Sequence, residues 1–420
     1  MKNRIRFFLN RLGERLWIKP LVISILSAAV SFLAKLTDQI PFLRFIPEIT
    51  SESLETLLGI IAASMLGISV FAVGSMVSAY SSASSSATPR SFPLVISDDV
   101  SQIALSTFIG AFIYSVVSLI ALMNDFYGTT GRFLLFLITI LVFGIVIVNF
   151  LRWIDRIARL GRLSTTIEKV ESATRDALQN SQLAIPMESK SKPGHPDGSP
   201  VYSPEIGYVQ RIDIPKLQSA AERFDIQITV QALPGTFLSP DQPLALVAYS
   251  KDTPENEIDS GMIVNAFTIG KDRTFDEDPR FGFLVLAEIA SRALSPAVND
   301  PGTAVSIIDI DVRLFTNWLR QIETGDNQEL APARVEVPPI SLHAMFDDAF
   351  DAIARDGAGN IQIALRLQKA FQSLSSLSNE TMAEASREHA QLAFRYAETA
   401  LSLPEEIQLL KENPLIKTHQ

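Results

Sequence analysis

Residues 57–90 read LLGIIAASMLGISVFAVGSMVSAYSSASSSATPR. Leu57–Tyr80 is an apolar run without a charged side chain, and the serine-rich stretch that follows, Ser81–Thr88, continues it without a break. Neither glycine nor proline occurs in Ser81–Thr88, so nothing there forces a helix to end before Pro89. Serine is a moderate helix former whose hydroxyl can bond back to a helix carbonyl. The stretch therefore predicts one helix running to about Thr88 and stopped by Pro89, with Arg90 at a headgroup or interfacial contact. A bilayer core about 30 Å thick needs roughly 20 helical residues, so this helix crosses a membrane and carries a narrow polar end beyond it.

Along that helix Gly59, Ala63 and Gly67 stand four residues apart, and Gly74 and Ser78 continue the face, with Ser81 and Ser85 beyond. Small residues let helix backbones approach closely in a bilayer. This face is the expected packing surface of the membrane half, and its hydroxyl-rich end, Ser85 above all, is the candidate lining of a pore.

Working outward, three more apolar runs lie at Leu21–Leu36, Ile103–Met123 and Phe133–Leu151, and the remainder has ordinary globular composition. Together they raise the hydrophobic fraction of the 420-residue chain to 47%, high for a water-soluble protein. The first run spans only if Trp17-Ile18 are included or Lys35 snorkels; Arg152-Trp153 close the fourth. Lys2, Arg4, Arg6, Arg11, Arg15 and Lys19 precede the first span, and Arg152, Arg156, Arg159 and Arg162 follow the last, whereas the first and third loops hold only Arg44 and Arg132. The positive-inside rule then puts both termini in the cytoplasm, with the spans in a plasma membrane. The leader is long for a signal peptide and no A-x-A-like site follows the first run, so a retained span is expected. Ile5, Phe8, Leu9, Leu12 and Leu16 share one face of it, which suits a helix resting on anionic headgroups as well as generic positive-inside charge.

The expected fold class is a multi-pass α-helical membrane protein with four spans, carrying a cytoplasmic α+β domain followed by a helical bundle. Its parts are a basic amphipathic leader at 1–19, a four-helix transmembrane domain at 20–151, a helix leaving the membrane at 152–184, a disordered loop at 185–205, a small α+β unit at 206–270 and a helical region at 271–420. The exit helix puts Ile154, Ile157, Leu160, Ile167, Val170, Thr174 and Ala177 on one face, to pack on its own soluble domain or to self-associate as a neck. Met187–Pro204 has the Pro, Gly and Ser content of a disordered loop. After it come a strand at Tyr208–Arg211, a helix capped by Asp213 and ending near Phe224, and strands at Ile226–Leu233 and Leu244–Tyr249. Within that unit Pro234–Val247, PGTFLSPDQPLALV, resembles half of a biotinyl or lipoyl hairpin without the modified lysine, so no swinging cofactor is expected. Helices are expected at Arg280–Leu294, Thr303–Glu323, Ser341–Arg355, Asn360–Leu377 and Glu380–Leu401.

Three motifs in order, GYVQRID at Gly207–Asp213, DRTFDEDPRFGF at Asp272–Phe283 and RALSPAVNDPGTA at Arg292–Ala304, resemble the bacterial predicted-membrane-protein family called domain of unknown function 2254. The resemblance implies an integral membrane protein with a cytoplasmic domain and no assigned activity. Relatives tend to carry Gln-aromatic-Ser-Pro-Arg after the second span; here Ser86, Ala87, Thr88, Pro89 and Arg90 stand there, so the Pro-Arg pair is kept and the Gln and aromatic are replaced. Physically, Ser295-Pro296 stops one helix, and Asn299-Asp300-Pro301 caps and starts the next. Arg292 sits one turn before that corner, with Asp300, Asp278 or Glu288 as partners or an anion bound beside the new helix; Arg273 belongs to the same motif set.

Other chemistry is sparse. The chain has no cysteine, which removes disulfides and thiolate sites. Its net charge of −10 despite a basic leader argues against a nucleic-acid partner. Four histidines, at 195, 343, 389 and 419, are too scattered for a zinc motif, and His343 with Asp347 reads as a solvated i, i+4 contact. No phosphate loop, dinucleotide fingerprint or nucleophile elbow is present. Asp98-Asp99 and Asp347-Asp348 fall near helix N-termini, where carboxylates favour the dipole. No catalytic, cofactor or metal residues are expected. The leading expectation is an oligomeric membrane protein acting as a channel or transport-related pore with a cytoplasmic regulatory domain; the competing one is a membrane-anchored scaffold or sensor.

Overall fold

A computed structural model describes residues 17–36, 47–159, 161–180, 198–249, 260–324 and 334–417. The leader up to residue 16 and most of the loop expected at 185–205 lie outside them. Two compact units meet at Thr166/Ile167.

In the first unit the long helices are α1 (Ile18–Leu36), α2 (Ser51–Ser86), the short α3 (Phe92–Ile96), α4 (Asp99–Met123) and α5 (Thr129–Ile157). Among the described residues α1, α2, α4 and α5 are long and apolar enough to cross a membrane. The marginal first span is helical from Ile18, and the Lys35 ammonium donates to the Phe126 carbonyl at 2.5 Å. The α2 helix ends at Ser86, two residues before the expected stop. There the Ala87 N–H bonds to Ala83 O, and Thr88 accepts from Arg90 N to cap a 3₁₀ turn at Pro89–Ser91.

The centre of the bundle is α4, which packs on α1, α2 and α5. Its interior is small and hydroxylic, with Ser101, Ala104, Ser106, Gly110, Ala111, Ser115 and Ser118 buried. A Cβ at Gly110 would stand 2.6 Å from Ile23 Cγ2, so α1 and α4 approach through this glycine. Ser118 Oγ donates to Ser31 Oγ at 3.0 Å, the Tyr127 hydroxyl to Ser31 O at 2.8 Å, and the Tyr114 hydroxyl lies 2.9 Å from Thr139 Oγ1. Asp98 caps α4 through Ser101 N and takes the Arg156 guanidinium, with Nε at 2.9 Å. Arg156 thus holds a buried carboxylate.

The helix expected at 152–184 is two helices. Gly161, in the left-handed region at φ +85°, separates α5 from α6 (Leu163–Asn180). The buried face of α6 in the second unit, Ile167, Val170, Thr174 and Ala177, is the expected one. It packs on α9 (Pro279–Leu294), where a Cβ at Gly282 would meet Thr174 Oγ1 at 2.0 Å. These four residues of that face are therefore covered within the second unit.

The α+β part comprises β1 (Ser199–Tyr202), β2 (Gly207–Ile212), α7 (Ile214–Phe224), β3 (Ile226–Val230), β4 (Phe237–Leu238), β5 (Pro243–Tyr249), α8 (Ser260–Val264), β6 (Phe267–Gly270) and β7 (Val335–Glu336). They form two sheets, of order β1-β5-β3-β7 and β4-β2-β6. All pairs are antiparallel except β3/β7, where Ile228 faces Val335. Asp213 caps α7 by accepting from Lys216 N at 3.3 Å, with Pro215 in the first turn, as expected. The β1 strand corrects the expected loop: Ser199 pairs with Val247, so order resumes inside a Pro- and Ser-rich stretch because its backbone completes a sheet edge.

The helical part follows the expected spacing, with α9, α10 (Pro301–Thr324), α11 (Leu342–Phe346), α12 (Ala352–Asp356), α13 (Ile361–Ser375) and α14 (Glu380–Ala400), then α15 (Pro404–Lys411) and α16 (Pro414–Lys417). Asp278, Ser341, Asn360 and Asn379 cap α9, α11, α13 and α14. A π-helical segment, Asp347–Asp351, joins α11 to α12. Phe283, Phe315, Phe346, Phe350 and Phe371 fill the interior; Phe283 and Phe315 stack at 4.6 Å.

Candidate functional site

Among the described residues, the small-residue face of α2 does not pack inside its own bundle. The buried face is Leu54, Leu58, Ile61, Ala62, Met65, Ser69, Ala72, Met76, Ala79, Tyr80 and Ala83. Ala63, Gly67, Gly74, Ser78, Ser81 and Ser85 are exposed, Gly59 is half-buried, and among the described residues nothing lies within 4 Å of a Cβ built on Gly59, Gly67 or Gly74. The expected intrachain packing surface is corrected on this point, because large side chains on the opposite face, Leu58, Met65 and Met76, bury more apolar surface against α4 and α5. An open groove of about 500 Å³ runs along the free face, lined by Gly74, Ser75, Ser78 and Ser82 between Phe71 and Ile157. Ser85 donates to Ser82 O at 2.9 Å and Ser86 to the same carbonyl at 2.8 Å, so these hydroxyls are turned back on the helix. Pro89 and Arg90 are exposed just past its end.

The first two family motifs come together as one knot. The Arg273 guanidinium grips Asp278 through Nε at 2.7 Å and Nη2 at 3.0 Å, while Asp278 accepts from Phe281 N at 3.1 Å and so caps α9. Gly235, at φ +90°, leaves room for that carboxylate; a Cβ there would stand 2.3 Å from Asp278 Oδ2. Arg211 Nε donates to Glu277 Oε1 at 3.0 Å, and Gln210 Nε2 to Asp272 O at 2.7 Å. Burial pushes the Glu277 carboxyl up to about 6 against the opposing pull of Arg211, and burial likewise raises Asp278 against Arg273. These charges join β2, β6 and α9, and their geometry is that of a structural clasp.

The third motif forms the expected corner. The α9 helix stops at Leu294, the Ser295 hydroxyl donates to Arg292 O at 2.7 Å, and Pro296 follows. Asn299 takes φ +49°, and Asp300 caps α10 through Thr303 N at 3.2 Å and Thr303 Oγ1 at 2.6 Å. Those bonds hold the Asp300 carboxyl below the usual carboxylate range. The Asp278 partner considered for Arg292 is corrected, because Asp278 caps the opposite end of α9 and pairs with Arg273. Pro301 opens α10, as expected.

Two groupings were not legible as sites in the sequence. The His343–Asp347 contact is replaced: His343 Nε2 lies 3.3 Å from Glu388 Oε2, and Asp347 meets His389. His389 Nε2 is 3.0 Å from Asp347 Oδ1 and 3.7 Å from Asp351 Oδ1, with the ligand atoms of all three within 4.8 Å of one another. His389 Nδ1 is 2.8 Å from Ala385 O, and the ring packs on Phe346 at 5.3 Å. Burial, ahead of neighbouring charges, raises the Asp351 carboxyl. The second grouping centres on Asp311 in α10, fully buried, with both oxygens lacking a hydrogen-bond partner. Burial and then Glu171, itself held by Arg313 at 2.9 Å and Arg175 at 2.8 Å, push it well above the usual range. The signal in both cases was a polar residue in an apolar helical stripe: Met382, Ala385, His389, Ala393 for one, and Ile307, Asp311, Leu314, Phe315, Trp318 for the other.

A four-helix, membrane-crossing bundle in one unit with an α+β and helical unit after it defines a multi-pass membrane protein with a folded extramembrane part. The chain belongs to the family described as predicted membrane protein DUF2254, which matches residues 13–373. Uncharacterized proteins of Mycobacterium bovis and Mycobacterium tuberculosis are similar to it, each 27% identical over 159 residues, covering 35% of this chain and 29% of the relative's length. No solved structure matches the chain.

Proposed function

We propose that the chain is a self-associating protein of a bacterial plasma membrane, with both termini cytoplasmic, in which copies meet through the free face of α2 and the serine-rich end of that helix borders a polar passage. The observation that carries this reading is the open space over Gly59, Gly67 and Gly74. Glycine in a bilayer is useful where a second backbone comes close, and among the described residues the chain's own helices do not use it there. The 36 residues of α2 measure about 54 Å at 1.5 Å per residue, well beyond a hydrocarbon core of about 30 Å. Its hydroxyl-rich last turns therefore extend into the headgroup layer or water, where they tolerate hydration. The soluble unit is regulatory in this reading, with no catalytic role and no nucleic-acid partner, and the basic leader binds anionic headgroups.

Disulfide trapping tests the contact, since the chain lacks cysteine. Cysteine at Gly67 or Gly74 should give cross-linked dimers in membranes, while cysteine at the buried Ala72 should not; monomers at all three positions refute the contact. Planar-bilayer conductance of purified protein, with Ser85→Leu as the blocking variant, separates a pore from a membrane-anchored scaffold. Silence across voltage, tension and salt leaves the scaffold. Orientation is checked with cysteines at Ser51, Thr129 and Ser191 and an impermeant thiol reagent on intact cells: labelling at the first two is expected, and labelling at Ser191 overturns the topology.

A further inference from the structure

We propose that His389, Asp347 and Asp351 form a binding site for a divalent transition-metal ion, with Zn²⁺ as the representative ligand. The argument begins with the histidine. Its Nδ1 lies 2.8 Å from the Ala385 carbonyl, an acceptor, so Nδ1 carries the proton. In the neutral ring Nε2 then presents a lone pair. That nitrogen faces two carboxylate oxygens, at 3.0 and 3.7 Å. A lone pair against two anions is stable only if something positive stands between them.

A proton on Nε2 supplies one positive charge against two carboxylates. A divalent ion supplies two, with the imidazole left neutral, and balances the set. Backbone acceptance of the Nδ1 proton is also how metal-bound histidines are commonly oriented, and the ring is held between Phe346 at 5.3 Å and Phe371 at 6.2 Å. The third acid of the segment, Asp348, is separately neutralised by Arg280 Nε at 2.6 Å. Asp347 and Asp351, by contrast, have His389 as their ion-pair partner among the described residues.

Two further observations point to a ligand. Asp351 Oδ1 is buried and has no hydrogen-bond partner, although His389 itself is only 6% exposed, so the cluster does not satisfy itself. The acids also lie on a π-helical segment, Asp347–Asp351, an irregularity frequent at functional sites. All three ligand atoms fall within 4.8 Å of one another, and the His389 nitrogen lies 3.0 and 3.7 Å from the two oxygens, separations that ligands at about 2.0–2.2 Å from a common centre can have. One nitrogen and two carboxylate oxygens favour an imidazole-accepting ion over Mg²⁺ or Ca²⁺. The Asp347 side chain is 57% exposed, which gives the ion a route in and leaves coordination positions to water.

The test uses the full chain in detergent, stripped with chelator and desalted. With Zn²⁺ added and excess removed, about one ion per chain is expected, together with a melting temperature that climbs with the logarithm of free Zn²⁺. The same concentration of Mg²⁺ should do neither. Asp347→Asn and Asp351→Asn should weaken binding at least tenfold, and Asp348→Asn should retain it. Because His389→Gln removes a buried ring and can unfold the bundle, the two Asp variants carry the test. Zn²⁺ bound equally by the wild type and both Asp variants, or no Zn²⁺ on folded wild-type protein, overturns the site.

Discussion

Replacing Asp311 with Asn probes the energetics of the second unit most directly. Asp311 lies on α10 with no exposed surface and no hydrogen-bond partner for either oxygen. Ionising it there costs its hydration and sets it against Glu171, so the folded protein keeps it protonated. The folded-state value is raised above the unfolded one, and the folded state binds the proton more tightly. The stability this group contributes is therefore complete below the unfolded value near 4 and is lost as pH rises toward the folded value. The slope is about 1.4 kcal/mol per pH unit while the unfolded chain is ionised and the folded chain is not. Asn is nearly isosteric and does not titrate. Relative to wild type, Asp311→Asn should thus gain stability as pH rises from 5 to 7, by no more than that slope.

Thermal or denaturant melts of the detergent-solubilised chain at those two pH values measure the difference. Glu277, pushed up to about 6, destabilises with rising pH in the same sense but is present in both proteins and cancels. Parallel pH dependence of wild type and variant would refute the claim that Asp311 is held protonated, whatever the absolute stability of the variant.

Gly110→Leu should destabilise the membrane bundle by about 1–3 kcal/mol, because its first side-chain atom meets Ile23, whereas Gly67→Leu should leave monomer melting unchanged and reduce only cross-linking between copies. Gly161→Ala forces a side chain into φ +85° and to within 3.0 Å of Ala79 O; a lower melting temperature of the first unit is expected, and an unchanged one would remove the turn from the account. Arg273→Ala leaves the Asp278 carboxylate buried without its partner, at a cost of about 3–5 kcal/mol. Adding Asp278→Asn should recover part of that loss in a double-mutant cycle, and simple additivity would refute the coupling.

The helical part of the second unit was legible because five of its helices announce their start with a short polar side chain: Asp278, Asp300, Ser341, Asn360 and Asn379. Capping is local, and local signals survive in a single sequence. The short strands were less legible. Residues 267–270, FTIG, become β6 because Val209 and Ile212 of β2 lie beside them, a long-range pairing with little periodicity of its own. The break at Gly161 was hidden inside a continuous apolar stripe, since a single left-handed residue redirects a helix without disturbing its pattern.

The glycines of α2 and α4 show why the membrane face was harder to assign than the spans. A regular four-residue spacing, as at Gly59, Ala63 and Gly67, says that a backbone can come close, and it does not say whose. In the structure α1 approaches Gly110, a position whose neighbours Ser106, Ala111 and Ser115 are spaced less evenly. Among the described residues the more regular face on α2 stays open. Large side chains decide between the two faces, because Leu58, Met65 and Met76 must be covered by something, and turning them toward α4 and α5 turns the glycines outward. An outward glycine face has lost the dispersion contacts a side chain would make with lipid, and it regains them only against another closely packed backbone. The same exclusion within one chain that corrected the packing assignment is what makes contact between copies the consequence to test.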